Sequence, residues 1–126
     1  MTAGIRIRVT PTYMPDESSP ENGRFLFAYA IFIGNEADHA AQLLSREWKI
    51  VDADGEQSMV RGEGVVGQRP VLARGAHFEY SSYCPLATRW GTMEGTFTFQ
   101  RMHDQTTFDV TIGRFYLVVP EENENV

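Results

Sequence analysis

The stretch Arg24-Phe-Leu-Phe-Ala-Tyr-Ala-Ile-Phe-Ile33 decides the class of fold. Positions 25, 27, 29, 31 and 33 are all large and apolar or aromatic, and positions 26, 28, 30 and 32 form a second, mostly smaller apolar set. A period of two sends alternate side chains to opposite faces, so the segment predicts a central strand covered in part on both sides, as in a β-sandwich. The flanking sequence repeats the theme. Residues 5–10 predict an earlier strand, and 43–51 a later one in which Trp48 and Ile50 share a face. Asp54-Gly55 marks a tight hairpin turn into a return strand near 57–61. Strands are further predicted at 77–83, 96–100, 108–112 and 115–119, each bounded by Gly, Asp, Asn or Pro punctuation.

Seven or eight short strands, no convincing helical stripe and no internal repeat give an all-β class: an antiparallel β-sandwich. The segment 11–23, PTYMPDESSPENG, predicts a long loop between the first two strands. With 126 residues the chain has the length of one domain, taken here as 1–120, followed by a disordered acidic tail over 121–126.

Charge and cysteine content bound the function. The formal charge is -6; without Glu121, Glu122 and Glu124 of the tail it falls to 14 acids against 11 bases. That balance argues against nucleic acid as a partner, since phosphate neutralisation needs clustered cations. Ten of the eleven bases are arginine and only Lys49 is lysine, a composition suited to bidentate contacts with carboxylates or phosphates. No apolar run has the length to cross a bilayer, and MTAGIRIRVT does not read as a secretory signal, so a cytoplasmic protein without membrane insertion is expected. Cys84 stands alone, which rules out an internal disulfide and a cysteine-rich zinc site.

One segment invites a ligand. Arg61-Gly-Glu-Gly-Val-Val-Gly-Gln-Arg-Pro70 fits G-x-G-x-x-G through Gly62, Gly64 and Gly67. A dinucleotide site needs a helix after the glycines and an acid about 20 residues on. Pro70 and Gly75 leave no room for that helix, and residues 81–93 contain no acid. A P-loop would need a lysine after the last glycine, and Lys49 is the only one. Two readings survive beside backbone architecture. In one the glycine amides, flanked by Arg61 and Arg69, form an anion nest for a polyphosphate or nucleotide. In the other the exposed loop meets a protein partner.

Other constellations are weaker. His39, His77 and His103 lie on different predicted elements and read as separate surface or turn histidines. Asp52-Ala-Asp-Gly-Glu56 clusters oxygens but lacks the rest of a calcium loop, and so reads as a hairpin turn, leaving no metal site. Cys84 is expected to be packed. Trp48 is expected in the core, with Arg46, two residues earlier on the same face, as a candidate contact at the rim of the sandwich. No catalytic set and no cofactor is implied.

The segment RGEGVVGQRP, with Ser45-Arg46-x-Trp48, Ser18-Ser19-Pro20, Phe27-Ala28-Tyr29 and the run from Tyr80 to Gly95 (Y-x-S-x-C-P-L-x-T-x-x-G-T-M-x-G), resembles the bacterial ApaG family from about Val9 to Pro120. The resemblance implies a fibronectin type III-like or immunoglobulin-like sandwich. It also implies an association with diadenosine tetraphosphate hydrolysis, cobalt resistance and magnesium efflux. Related domains occur in eukaryotic F-box proteins and in a polymerase-interacting protein, which favours protein interaction. The family motif falls on Ser45, Arg46, Trp48, Arg61, Gly62, Glu63, Gly64, Val65, Val66, Gly67 and Pro70, and assigns none of them a catalytic role. The resulting expectation is a non-catalytic interaction module of unidentified partner and oligomeric state. Its contacts would be made through strand edges or through the loop Arg61 to Pro70, by Arg61, Gly62, Glu63, Gly64, Gly67 and Arg69, with Arg46 at the rim; the alternative is a polyphosphate sensor at the same loop.

Overall fold

In a computed structural model that describes residues 2–121, Phe25, Phe27, Tyr29, Ile31 and Ile33 all turn to one side and are buried. The other side of that strand carries Leu26, Ala28, Ala30 and Phe32, of which Ala30 is exposed and the rest half-buried. The strand, β2 (Phe25–Asn35), is flanked by β1 (Ile5–Tyr13) and β6 (His77–Leu86) in an antiparallel three-stranded sheet. The second sheet runs β4-β3-β7-β8: β4 (Gln57–Glu63), β3 (Ala41–Asp52), β7 (Trp90–Arg101) and β8 (Thr107–Val118). A two-residue strand, β5 (Val71–Leu72), pairs with Gln42 and Ala41 at the start of β3. The two inner faces close on each other, with Leu43, Trp48, Phe97, Phe99, Ile112 and Leu117 opposing the β2 set. This is the antiparallel sandwich that the alternation predicts.

Trp48 is the largest buried side chain. Its ring meets Tyr29, Phe97 and Phe115 edge-on, at centroid separations of 5.6, 6.1 and 5.8 Å. Such geometry sets the positive edge of one ring against the negative face of the next. Truncation to Ala here would cost about 3–5 kcal/mol.

Two bulges decide which side chains face inward. Between Leu43 and Ser45 the register against β7 shifts by one, leaving Leu44 as the extra residue. Side-chain parity flips there, so Leu43 faces in, and beyond the bulge Arg46 and Trp48 do as well. The second bulge sets Gly113 and Arg114 of β8 against Glu94 alone.

Three expectations need correction. Residues 108–112 and 115–119 are not two strands: the Gly113–Arg114 bulge carries the chain through, and β8 is continuous to Val118. The loop expected from Pro11 begins only after Tyr13, because Pro11 pairs opposite Tyr29 on an edge strand, where a missing N–H is tolerated. What remains is two short 3₁₀ turns, Pro15–Glu17 and Pro20–Asn22. The strands near 77–83 and 96–100 also extend further, to 77–86 and 90–101. Of the tail expected to be disordered, 122–126 lie outside the described residues. No helix among the described residues is long and apolar enough to cross a membrane.

Candidate functional site

The glycine segment forms the corner where β4 hands over to β5 along the outer edge of β3. Val65 N–H donates to Gln68 O and Gln68 N–H to Val65 O, both at 2.8 Å. Val66 and Gly67, between them, have φ of 42° and 78°. Positive φ at both central residues defines a type I′ turn, so a β-hairpin tip occupies the place where a nucleotide-binding unit would start its helix. Val65 is completely buried and pins the corner to the core, while Val66 stands half exposed at the tip.

Gly64 answers to space as well as to φ. Its φ is 62°, and a Cβ there would overlap the Gln68 carbonyl oxygen. Gly62 has a different reason. A Cβ on it would lie 2.6 Å from Nη1 of Arg46, whose guanidinium passes over this position. Arg46 then donates to the carbonyl oxygens of Gly64 at 2.9 Å and Glu63 at 3.2 Å. Arg46, expected as a rim contact, is half-buried and braces the corner from the inner face. The Ser-Arg-x-Trp and G-x-G-x-x-G segments thus form one structural unit.

The arginines that would flank an anion are engaged with acids. Arg61 Nη2 lies 3.3 Å from Glu47 Oε1, and Arg69 Nη2 lies 3.5 Å from Glu63 Oε2. These pairs are exposed, so their contribution to stability is small. The N–H of Gly64 is donated to Leu44 O at 2.8 Å, and those of Val65 and Gln68 close the turn. Three of the main-chain donors that a nest could aim at a phosphate, those of Gly64, Val65 and Gln68, are therefore already bonded within the protein. An open groove of about 450 Å³ crosses the solvent face beside the corner, lined by Ser45, Glu47, Arg61, Glu63, Thr98 and Asp109 among others. Three acids, Glu47, Glu63 and Asp109, and two arginines, Arg46 and Arg61, are among its lining.

Beneath Arg46, the core turns polar. Burial raises the hydroxyl pKa of Tyr29 and, further, of Tyr80, and Arg46 lowers both only weakly. The Tyr80 hydroxyl and the Trp48 indole N–H are buried with no hydrogen-bond partner among the described residues. Cys84 is packed, as expected, and burial pushes its thiol up to about 11. Tyr83, an alternate position on the same strand, is 60% exposed.

The histidines are not all separate. His39 and His103 stack at 3.9 Å between centroids, because the β2–β3 connection meets the β7–β8 turn. No local spacing in the sequence signals a contact between residues so far apart. Among the described residues, no group of three or more His, Cys, Asp and Glu is placed to hold a metal ion.

The free edge of β4 is the feature most hidden in the sequence. Among the described residues β4 pairs only with β3 and ends the sheet. Asp52 N–H donates to Glu56 O at 3.0 Å, and Gly64 N–H to Leu44 O. With residues pairing in register from Ser45↔Glu63 to Val51↔Gln57, even-numbered residues of β4 spend their main-chain groups on β3. Gln57, Met59, Arg61 and Glu63 therefore direct theirs away from the sheet. Every residue of β4 except half-buried Gly62 is exposed, including Met59 (52%) and Val60 (41%).

The family model described as the ApaG domain matches residues 15–101, a span that includes both the Arg46 brace and the glycine corner. The chain belongs to the ApaG family. Protein ApaG of Anaeromyxobacter dehalogenans is 50% identical over 120 residues, covering 95% of this chain and 94% of its own. Protein ApaG of a Methylobacterium species is 48% identical over 119 residues, 94% of this chain and 91% of its own. Among solved ApaG-like structures, that of the ApaA protein from Bordetella pertussis superimposes with a TM-score of 0.90 at 43% identity, covering 94% of this chain and 95% of that one. The ApaG fold is thus the sandwich described above.

Proposed function

We propose that this ApaG-family chain is a non-catalytic protein-interaction module that recognises an extended segment of a partner along the free edge of β4. The flanking corner, with Arg61, Glu63 and Arg69, sets specificity. One observation carries the reading: a seven-residue terminal strand is exposed on both faces and has main-chain donors and acceptors directed outward. Such an edge can take a further strand from another chain, with hydrogen bonds supplying affinity and alternate side chains supplying selectivity. The charged pairs at the corner suit recognition more than stability, because exposed pairs can be exchanged for a partner's charges at little cost. The buried thiol of Cys84, held protonated, is in keeping with a module that carries out no nucleophilic chemistry. A polyphosphate sensor at the same corner is the weaker reading, given that the turn closes on its own amides.

Affinity capture tests this with two variants. In Met59→Pro the lost N–H is one that points away from β3, so the sandwich keeps its ladder while the edge can no longer accept a strand. In the triple alanine variant of Arg61, Glu63 and Arg69, the edge remains and its flanking charges go. Partners retained by the wild type are expected to be lost from the first and weakened in the second. Unchanged capture by both would eliminate this surface as the site.

A further inference from the structure

We propose that the β4 edge also pairs with itself: two copies of the chain associate through antiparallel β4 strands on a two-fold axis at Val60, forming a weak dimer that masks the recognition edge. This rests on the reading of the β4 edge as the recognition surface, and adds its regulation by concentration.

The register follows from the parity of the edge. A two-fold axis at Val60 sets Met59 opposite Arg61 and Gln57 opposite Glu63 of the second copy. All four are residues whose main-chain groups point outward, so each facing pair can exchange hydrogen bonds. Side chains agree with that alignment. The Gln57 amide can donate to the Glu63 carboxylate, and the stem of Arg61 lies along the Met59 thioether. No like charges stand directly opposite, and all seven residues of β4 take part. Moving the axis to Arg61 would put two guanidinium groups face to face. Moving it to Met59 would set Glu63 against Gly55 in the β3–β4 turn and shorten the overlap. On the inner side the two Val60 side chains meet, each now 41% exposed. One end is tempered, since the Glu63 carbonyl already accepts from Arg46.

The contact is small. A single seven-residue strand pair falls short of the roughly 1,200 Å² at the lower end of standard interfaces, so dissociation is expected on the order of 10⁻⁴ M. A partner strand with better side-chain matches would displace the second copy.

Val60 is a non-hydrogen-bonded position of the new pair, where facing Cα atoms approach to about 4.5 Å, within disulfide range. Ser58 faces Gly62 of the second copy, and so lies four residues along the strand from the other Ser58. Sedimentation velocity of the whole protein from about 5 μM to 1 mM, with 0.15 M salt to screen the net charge, reads association. Mild oxidation of Val60→Cys and Ser58→Cys reads register. The expected result is a concentration-dependent dimer in the wild type, its loss in Met59→Pro, and disulfide formation at least ~10-fold faster at position 60 than at 58. A wild type that stays monomeric at 1 mM, or equal cross-linking at the two positions, overturns the dimer. If Met59→Pro in that case still loses captured partners, only self-pairing fails. A dimer with capture unaffected by the proline would sink the partner reading instead and leave self-association standing.

Discussion

Gly64→Ala and Gly67→Ala give two different outcomes if the corner is architecture. Both positions have left-handed φ, 62° and 78°, and only one of them has room. At Gly67 an added Cβ meets nothing within 4 Å, so Ala bears only the left-handed penalty, about 1–2 kcal/mol. Asn, which tolerates that region, would recover part of it. At Gly64 the same penalty applies, and the new methyl displaces the Gln68 carbonyl. That movement breaks the reciprocal Val65 and Gln68 hydrogen bonds, worth about 1 kcal/mol each, and disturbs the Arg46 bond to Gly64 O. The expected loss is about 4–5 kcal/mol at Gly64 against about 1–2 at Gly67. Urea titration followed by Trp fluorescence and far-UV dichroism measures both, and the gap corresponds to roughly 10 °C in melting temperature for a chain of this size. If the two substitutions cost the same to within about 0.5 kcal/mol, the steric account of Gly64 is wrong.

Three further outcomes follow from the same geometry. Arg46→Ala should cost about 2–3 kcal/mol by releasing the Gly64 and Glu63 carbonyls, and Gly62→Ala should be costly only while Arg46 is present, so that a double-mutant cycle gives a coupling above about 1 kcal/mol; an additive cycle would dissociate Gly62 from the arginine. Tyr80→Phe removes a buried hydroxyl that bonds to no group among the described residues, so stability should hold or rise; a loss above about 1 kcal/mol by thermal or urea denaturation would reveal a bond to that oxygen. Stability should fall from about pH 9 upward. There the unfolded thiol of Cys84 ionises near its ordinary 9.0 while the folded one keeps its proton to about 11, so the unfolded state binds fewer protons across this window, at a cost of about 2–3 kcal/mol. Tyr29 and Tyr80, raised in the same direction, extend the loss above pH 10. Cys84→Ala should remove the first part of that decline in pH-dependent urea midpoints.

What could be read in advance was local. The alternation of 25–33 places five buried side chains correctly, and the proline three residues after Gly67 is enough to reject a phosphate-binding helix. Arg46 sharing a face with Trp48 was legible as well, because both lie beyond the Leu44 bulge and the parity between them is intact. Its destination was not. The reach of its guanidinium across Gly62 depends on the pairing of β3 with β4, a register that spacing does not state. The same holds for the outward run of main-chain groups at 57, 59, 61 and 63, which depends on which pairs are hydrogen-bonded. The merging of 108–112 with 115–119 was missed because Gly113-Arg114 has the composition of a turn and the conformation of a bulge. The stacking of His39 on His103 is set by two connections meeting at one end of the sandwich.

The seat of Arg46 on Gly62 carries an evolutionary consequence. A glycine whose only demand is room for one guanidinium is free to change once that guanidinium is gone, whereas Gly64 is constrained by its own backbone. Through descent, position 62 should therefore vary together with position 46, with larger side chains entering at 62 only in lineages that have replaced the arginine. Position 64 should remain glycine in both kinds of lineage.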